Sequence, residues 1–160
     1  MTKSEFLSRI SAKIKHHYGV TAAEASQKQI YRAVCTVVRD LLSERNVACR
    51  GGFCDPLRKT VYYMSMEFLI GRSLRNNLFN LGLTETACDA VSELGFSLDE
   101  LLDLEPDAGL GNGGLGRLAA AYLDALAAGG YQAFGYSILY EFGIFRQRIE
   151  NGVQTELPDE

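Results

Sequence analysis

Hydrophobic spacing divides the chain into a helical first third and a mixed remainder. Phe6, Ile10 and Ile14 recur at four-residue intervals behind Thr2-Lys3-Ser4-Glu5. That spacing is the signature of a reciprocal cap, in which a hydroxyl and a carboxylate serve each other's backbone N–H groups. A second run of this kind, Thr21-Ala22-Ala23-Glu24, opens a longer amphipathic segment with Ile30, Val34, Val37, Val38, Leu41 and Leu42 on its apolar face. This helix is expected to fade near Asn46 and end by Gly51-Gly52, with a loop or boundary over 51–56. Segment 61–68 (VYYMSMEF) is short and rich in β-formers, and both of its alternating faces are apolar, which predicts an interior strand. Gly71 breaks the chain, and shorter helices are expected over 73–81, 84–94 and 97–103.

The clearest helix is 115–128. Leu115, Leu118, Ala119, Tyr122, Leu123 and Leu126 form one stripe, and Gly129-Gly130 ends the run. Strand character returns over 132–140. Segments 144–149 and 153–157 flank Glu150-Asn151-Gly152, a strong hairpin signal. The order predicts an α/β fold class, with a helical N-terminal segment over 1–50 and an incomplete α/β domain over 57–160. A sheet whose last strands sit at the end of the chain, with no capping element, leads us to expect further chain and a truncated domain.

Composition narrows the function classes without choosing among them. At 160 residues, 47% hydrophobic and 22% charged, the chain matches one ordinary globular domain. A net charge of −4 with scattered Lys and Arg gives no footprint for nucleic acid or an anionic membrane. No segment approaches the apolar length of a membrane span, and MTKSEFLSRI cannot serve as a secretory signal. Cys35, Cys49, Cys54 and Cys88 match no metal spacing, and no metal site is expected. Reduced cysteines in a cytoplasmic protein are the expectation.

The densest chemical signal is Asp107-Ala108-Gly109-Leu110-Gly111-Asn112-Gly113-Gly114-Leu115-Gly116-Arg117, leading straight into the best helix. Asn112 is a good N-cap residue, which would set Gly113, Gly114 and Leu115 at the first three helical positions. Their N–H groups lack intrahelical acceptors, and the helix dipole favours an anion there. Without Cβ atoms in the way, a phosphate-sized anion can rest on those amides. Arg117, one turn in, adds charge or pairs with a carboxylate. Close packing of the helix on a strand is the plain structural alternative for such glycines. A dinucleotide site is the other, since G-x-G-x-x-G occurs twice. That site needs a strand directly before the loop, where Leu101 to Pro106 reads as a helix end. It also needs an acidic residue about twenty positions on, and Glu141 lies too far along.

Three blocks carry a family resemblance: YYMSMEFLIGR from Tyr62, DAGLGNGGLGRLAA from Asp107 and GYSILYEFGIFRQ from Gly135. In this order and spacing they closely resemble the α-1,4-glucan (glycogen, starch, maltodextrin) phosphorylases, most clearly from Lys59 onward. The resemblance implies a GT-B type glycosyltransferase with two Rossmann-like domains facing a cleft, of which this chain holds the N-terminal helices and the start of the first domain. It implies pyridoxal 5'-phosphate as cofactor, inorganic phosphate and an α-1,4-glucan as substrates, and a common homodimer. Carried onto this sequence, Gly113 and Gly114 would offer N–H groups to phosphate and Leu115 to the substrate region. Asn112, Glu67 and Arg117 would support the loop. Leu69 stands where many relatives carry an aromatic residue, and Leu139 where many carry Arg. The N-terminus lacks the basic segment around a phosphorylatable serine, so control by phosphorylation is not expected.

The cofactor lysine of the family lies far downstream, and Lys3, Lys13, Lys15, Lys28 and Lys59 match no part of its motif. The isolated chain is therefore expected to be inactive, to hold no cofactor stably, and to self-associate through unpaired strand edges. The alternative reading is a non-catalytic phosphate- or glucan-binding or dimerisation module derived from a phosphorylase.

Overall fold

The computed structural model describes residues 1–53, 59–141 and 145–158. In chain order the elements are α1 (Lys3–Tyr18), α2 (Gln27–Phe53), β1 (Val61–Met64), β2 (Phe68–Gly71), α3 (Leu74–Asn80), α4 (Thr84–Glu93), α5 (Leu98–Leu102), β3 (Ala108–Leu110), α6 (Gly114–Ala128), β4 (Ala133–Tyr136), β5 (Arg146–Glu150) and β6 (Val153–Leu157). They form two compact units, each built from two stretches of chain.

The helical unit joins Met1–Cys54 to Arg72–Asp107. The unit is discontinuous in sequence. The cause is a shared core, in which Phe6, Ile10, Ile14, Ile30, Val34 and Val37 pack with Leu78, Ala87, Val91 and Leu101. The first cap forms as expected: Thr2 N donates to Glu5 Oε2 at 2.8 Å, and Glu5 N donates to Thr2 Oγ1 at 3.3 Å. Gly19, at φ 68°, closes α1.

The second expected cap closes a turn instead. Thr21 N donates to Glu24 Oε2 at 2.9 Å, but α2 starts at Gln27. There Ser26 and Gln29 exchange the reciprocal bonds, with Ser26 N donating to Gln29 Oε1 at 2.8 Å. The helix also runs through Gly51-Gly52 to Phe53. Glycine costs about 1 kcal/mol in a helix but does not forbid it.

The N-terminus of α3 is capped from a distance. Ser73 supplies no side-chain cap of its own. Glu105 Oε1 instead accepts from Ser73 N at 2.8 Å and Leu74 N at 3.1 Å. Glu105→Ala leaves these part-buried donors unpaired, so a loss of about 1–3 kcal/mol is expected. Urea denaturation of the variant against the parent measures it, and a change near zero would remove Glu105 from this role.

The second unit joins Asp55–Gly71 to Ala108–Glu160 and carries three two-stranded pairings. β1 pairs parallel with β4, β2 antiparallel with β3, and β5 antiparallel with β6. The single interior strand expected over 61–68 is therefore two strands. Ser65 N donates to Tyr136 O at 3.0 Å, and Glu67 N donates to Ser65 Oγ at 3.3 Å, which turns the chain between them. Among the described residues β1 has one partner, and its Tyr62 and Met64 are exposed, with Met64 82% accessible. The hairpin follows expectation, with Asn151 at φ 52° and Gly152 at φ 78°, the pair of positive angles a two-residue turn needs. Its expected start at Ile144 lies outside the described residues.

Helix α6 begins one residue before the expected stripe and buries a face that overlaps it only in part, at Ala119, with Leu123 and Leu126 half-buried. Gly116, Ala119 and Ala120 are buried, while Leu115, Leu118 and Tyr122 are about half exposed. Small residues face inward because α6 packs closely on β2, where even a methyl at Gly116 meets Leu69.

Candidate functional site: the glycine loop

β3 enters the loop and α6 leaves it, so residues 111–113 join an antiparallel strand to a helix N-terminus. The N-cap is Gly113 rather than Asn112, and no side chain caps it. Gly113 adopts extended backbone there, at φ −152° and ψ −162°. Gly114, Leu115 and Gly116 become the first helical positions, with N–H groups that by position have no intrahelical acceptor. Asn112, Leu115 and Arg117 are exposed, and Arg117 makes no ion pair among the described residues.

The loop glycines differ in what a side chain would meet. At Gly111, φ is +121° and an added Cβ would fall 2.7 Å from three carbons of Glu67. Glu67, from the turn before β2, therefore packs directly under the loop. At Gly116 an added Cβ would fall 2.9 Å from Leu69 Cγ. At Gly113 and Gly114 it would meet nothing within 4 Å among the described residues, and neither has a positive φ. Packing and backbone geometry account for Gly111 and Gly116. They account for neither Gly113 nor Gly114, where an added Cβ has open space.

A strand does precede the loop, although Leu101 to Pro106 reads as a helix end. Sequence reasoning missed β3 because Ala108-Gly109-Leu110 carries no β pattern and becomes a strand only by pairing with β2. This does not restore the dinucleotide reading. β3 and β4, on either side of α6, lie in different pairings, whereas that site needs them parallel in one sheet.

Burial pushes the Cys35 thiol and the Tyr31 phenol up, which makes Cys35 a poor nucleophile. Cys35 and Cys88 are free thiols. Among the described residues no group of three or more His, Cys, Asp or Glu is arranged to hold a metal, and no helix is long and apolar enough to cross a membrane.

The geometry defines an α/β protein with a glycine loop feeding an open helix N-terminus. The sequence pattern of the carbohydrate phosphorylases matches residues 91–160. A glycogen phosphorylase of Chlamydia trachomatis is 48% identical over 88% of this chain and 17% of its own length. The brain-form enzyme of Bos taurus is 47% identical and the liver-form enzyme of Homo sapiens 46%, each over 85% of this chain and 16% of its own length. The chain is homologous to part of the glycogen phosphorylases, and its residues 91–160 match the carbohydrate phosphorylase pattern. It spans about a sixth of the length of these relatives.

Proposed function

We propose that the chain is the glycine-loop portion of an α-1,4-glucan phosphorylase, a cytoplasmic enzyme in which phosphate cleaves the terminal glucosidic bond and α-glucose 1-phosphate leaves. In this reading the chain holds the N-terminal helices and the start of a Rossmann-like domain of a two-domain GT-B enzyme. Phosphate rests against the N–H groups of Gly113 and Gly114, and Leu115 N–H faces the substrate. Arg117 and the helix dipole supply positive potential, and Glu67 holds the loop from beneath. The observation that carries the reading is the open space at Gly113 and Gly114, glycines that neither packing nor φ requires.

The family's pyridoxal phosphate chemistry is not supplied by the lysines of this chain. Lys3 and Lys13 are held in ion pairs with Glu93 and Asp40, at 2.7 Å each. Lys15 and Lys28 are exposed in the helical unit, and Lys59 is exposed ahead of β1. None fits a Schiff-base role, so no step through the cofactor follows from these residues. A homodimer remains part of the proposal by family alone.

Glucose 1-phosphate release from maltoheptaose and inorganic phosphate, with pyridoxal phosphate added, tests the reading. The chain is assayed alone and together with the remainder of the Chlamydia trachomatis relative. The expected result is silence alone and activity in the mixture. Activity from the chain alone would overturn the dependence on groups outside it. Silence in both would favour the non-catalytic module. Gly114→Ala sharpens the test, because a helical Cβ leans toward the N-terminus, where the anion sits. It should leave folding intact or raise stability by up to about 1 kcal/mol, while activity in the mixture falls at least about tenfold.

A further inference from the structure

Leu69 lies under both arms of the loop. A Cβ at Gly109, in β3, would stand 3.0 Å from Leu69 Cδ2 and, among the described residues, meet nothing else within 4 Å. A Cβ at Gly116, in the first turn of α6, would stand 2.9 Å from Leu69 Cγ and 3.2 Å from Leu69 N. The strand register agrees: Leu69 pairs with Gly109, and the register shifts between Leu69 and Gly71, where Ile70 stays exposed. One half-buried side chain thus fills the room left by a glycine before the loop and a glycine after it.

We infer that Leu69 is a positioning residue for the glycine loop, setting the separation of β3 from the first turn of α6. That separation fixes how the N–H groups of Gly113 and Gly114 are presented. Leu69 acts through its contacts with Gly109 and Gly116, the latter shared with Glu67 Cβ at 3.1 Å. Close-packed contacts of this kind transmit strain, so an extra methyl or a missing isopropyl group moves the loop rather than being absorbed. The functional consequence rests on the phosphate reading, whereas the geometric one does not.

The test uses the 15N-labelled chain in five forms: parent, Leu69→Ala, Gly109→Ala, the double variant and Leu69→Met. Two quantities are read, the amide resonances of Gly113 and Gly114 without ligand, and their titration by inorganic phosphate. Leu69→Ala and Gly109→Ala should each shift both resonances and weaken phosphate binding about tenfold. The double variant should return both readouts toward the parent, because the only neighbour of a methyl at 109 among the described residues has gone. Leu69→Met, close in volume, should leave both unchanged. Leu69→Val removes the same Cδ2 carbon and replaces Leu69→Ala if the latter does not fold. Purely additive effects in the double variant, or unmoved resonances in the Leu69 truncation, overturn the inference. A parent chain that ignores phosphate would sink the phosphate reading, while the resonances would still decide the role of Leu69.

Discussion

Phe6→Ala is expected to remove about 3–5 kcal/mol of stability from the helical unit, a large part of the margin of an ordinary domain. Phe6 is fully buried, and its helix α1 packs against both α2 and α4. Truncation leaves a cavity in the core these helices share, and the buried side chains lining it lose packing contacts. Helicity followed by circular dichroism through a urea titration measures the loss. A change below about 1 kcal/mol would mean that the core closes over the gap. The effect should not stay on α1, because Arg72–Asp107 shares this core although it is separated in sequence by β1 and β2. That segment leaves after β2 and returns into β3. Its ends are linked by the Arg72–Asp107 ion pair, at 3.6 Å between Nε and Oδ1.

What the sequence made legible was local, and what it hid was set by distant chain. Thr2 and Glu5 lie three residues apart, so their cap was readable, as was the turn at Asn151-Gly152. The helices near 74, 84 and 98 follow their periodicity within a residue or two. By contrast, the break at Ser65 depends on Tyr136, far along the chain, and β3 exists only opposite β2. The stripe on α6 included Ala119 but rested mainly on large apolar residues, of which Leu115, Leu118 and Tyr122 stay about half exposed. The buried face is the small one, Gly116, Ala119 and Ala120, chosen by close approach to Leu69 and Glu67. The glycine loop was legible as a cluster with phosphate chemistry. The division of labour among its glycines was not, because only coordinates separate a glycine pressed against Glu67 from one facing open space.

That division yields the other large expected effect. Gly111→Ala should cost about 2–4 kcal/mol, from a positive φ that side chains resist and from collision with a packed neighbour. At φ +121° an L residue is strained wherever it points, and here its Cβ would lie 2.7 Å from Cβ, Cγ and Cδ of Glu67. Shortening Glu67 to alanine removes two of those carbons but leaves the third and the backbone strain. The Glu67→Ala/Gly111→Ala pair should therefore recover less than half of the loss. Gly113→Ala should leave stability within about 0.5 kcal/mol, since no atom of the described residues opposes its Cβ. Urea denaturation of the three variants, with phosphate titration of each, separates the two kinds of glycine. Gly111→Ala should lose stability and phosphate response together, because the loop itself is displaced. Gly113→Ala should lose phosphate response alone, because only the approach to the amides is blocked. Equal stability losses at 111 and 113 would mean that the open side of the loop is packed in solution, and the phosphate assignment would lose its basis.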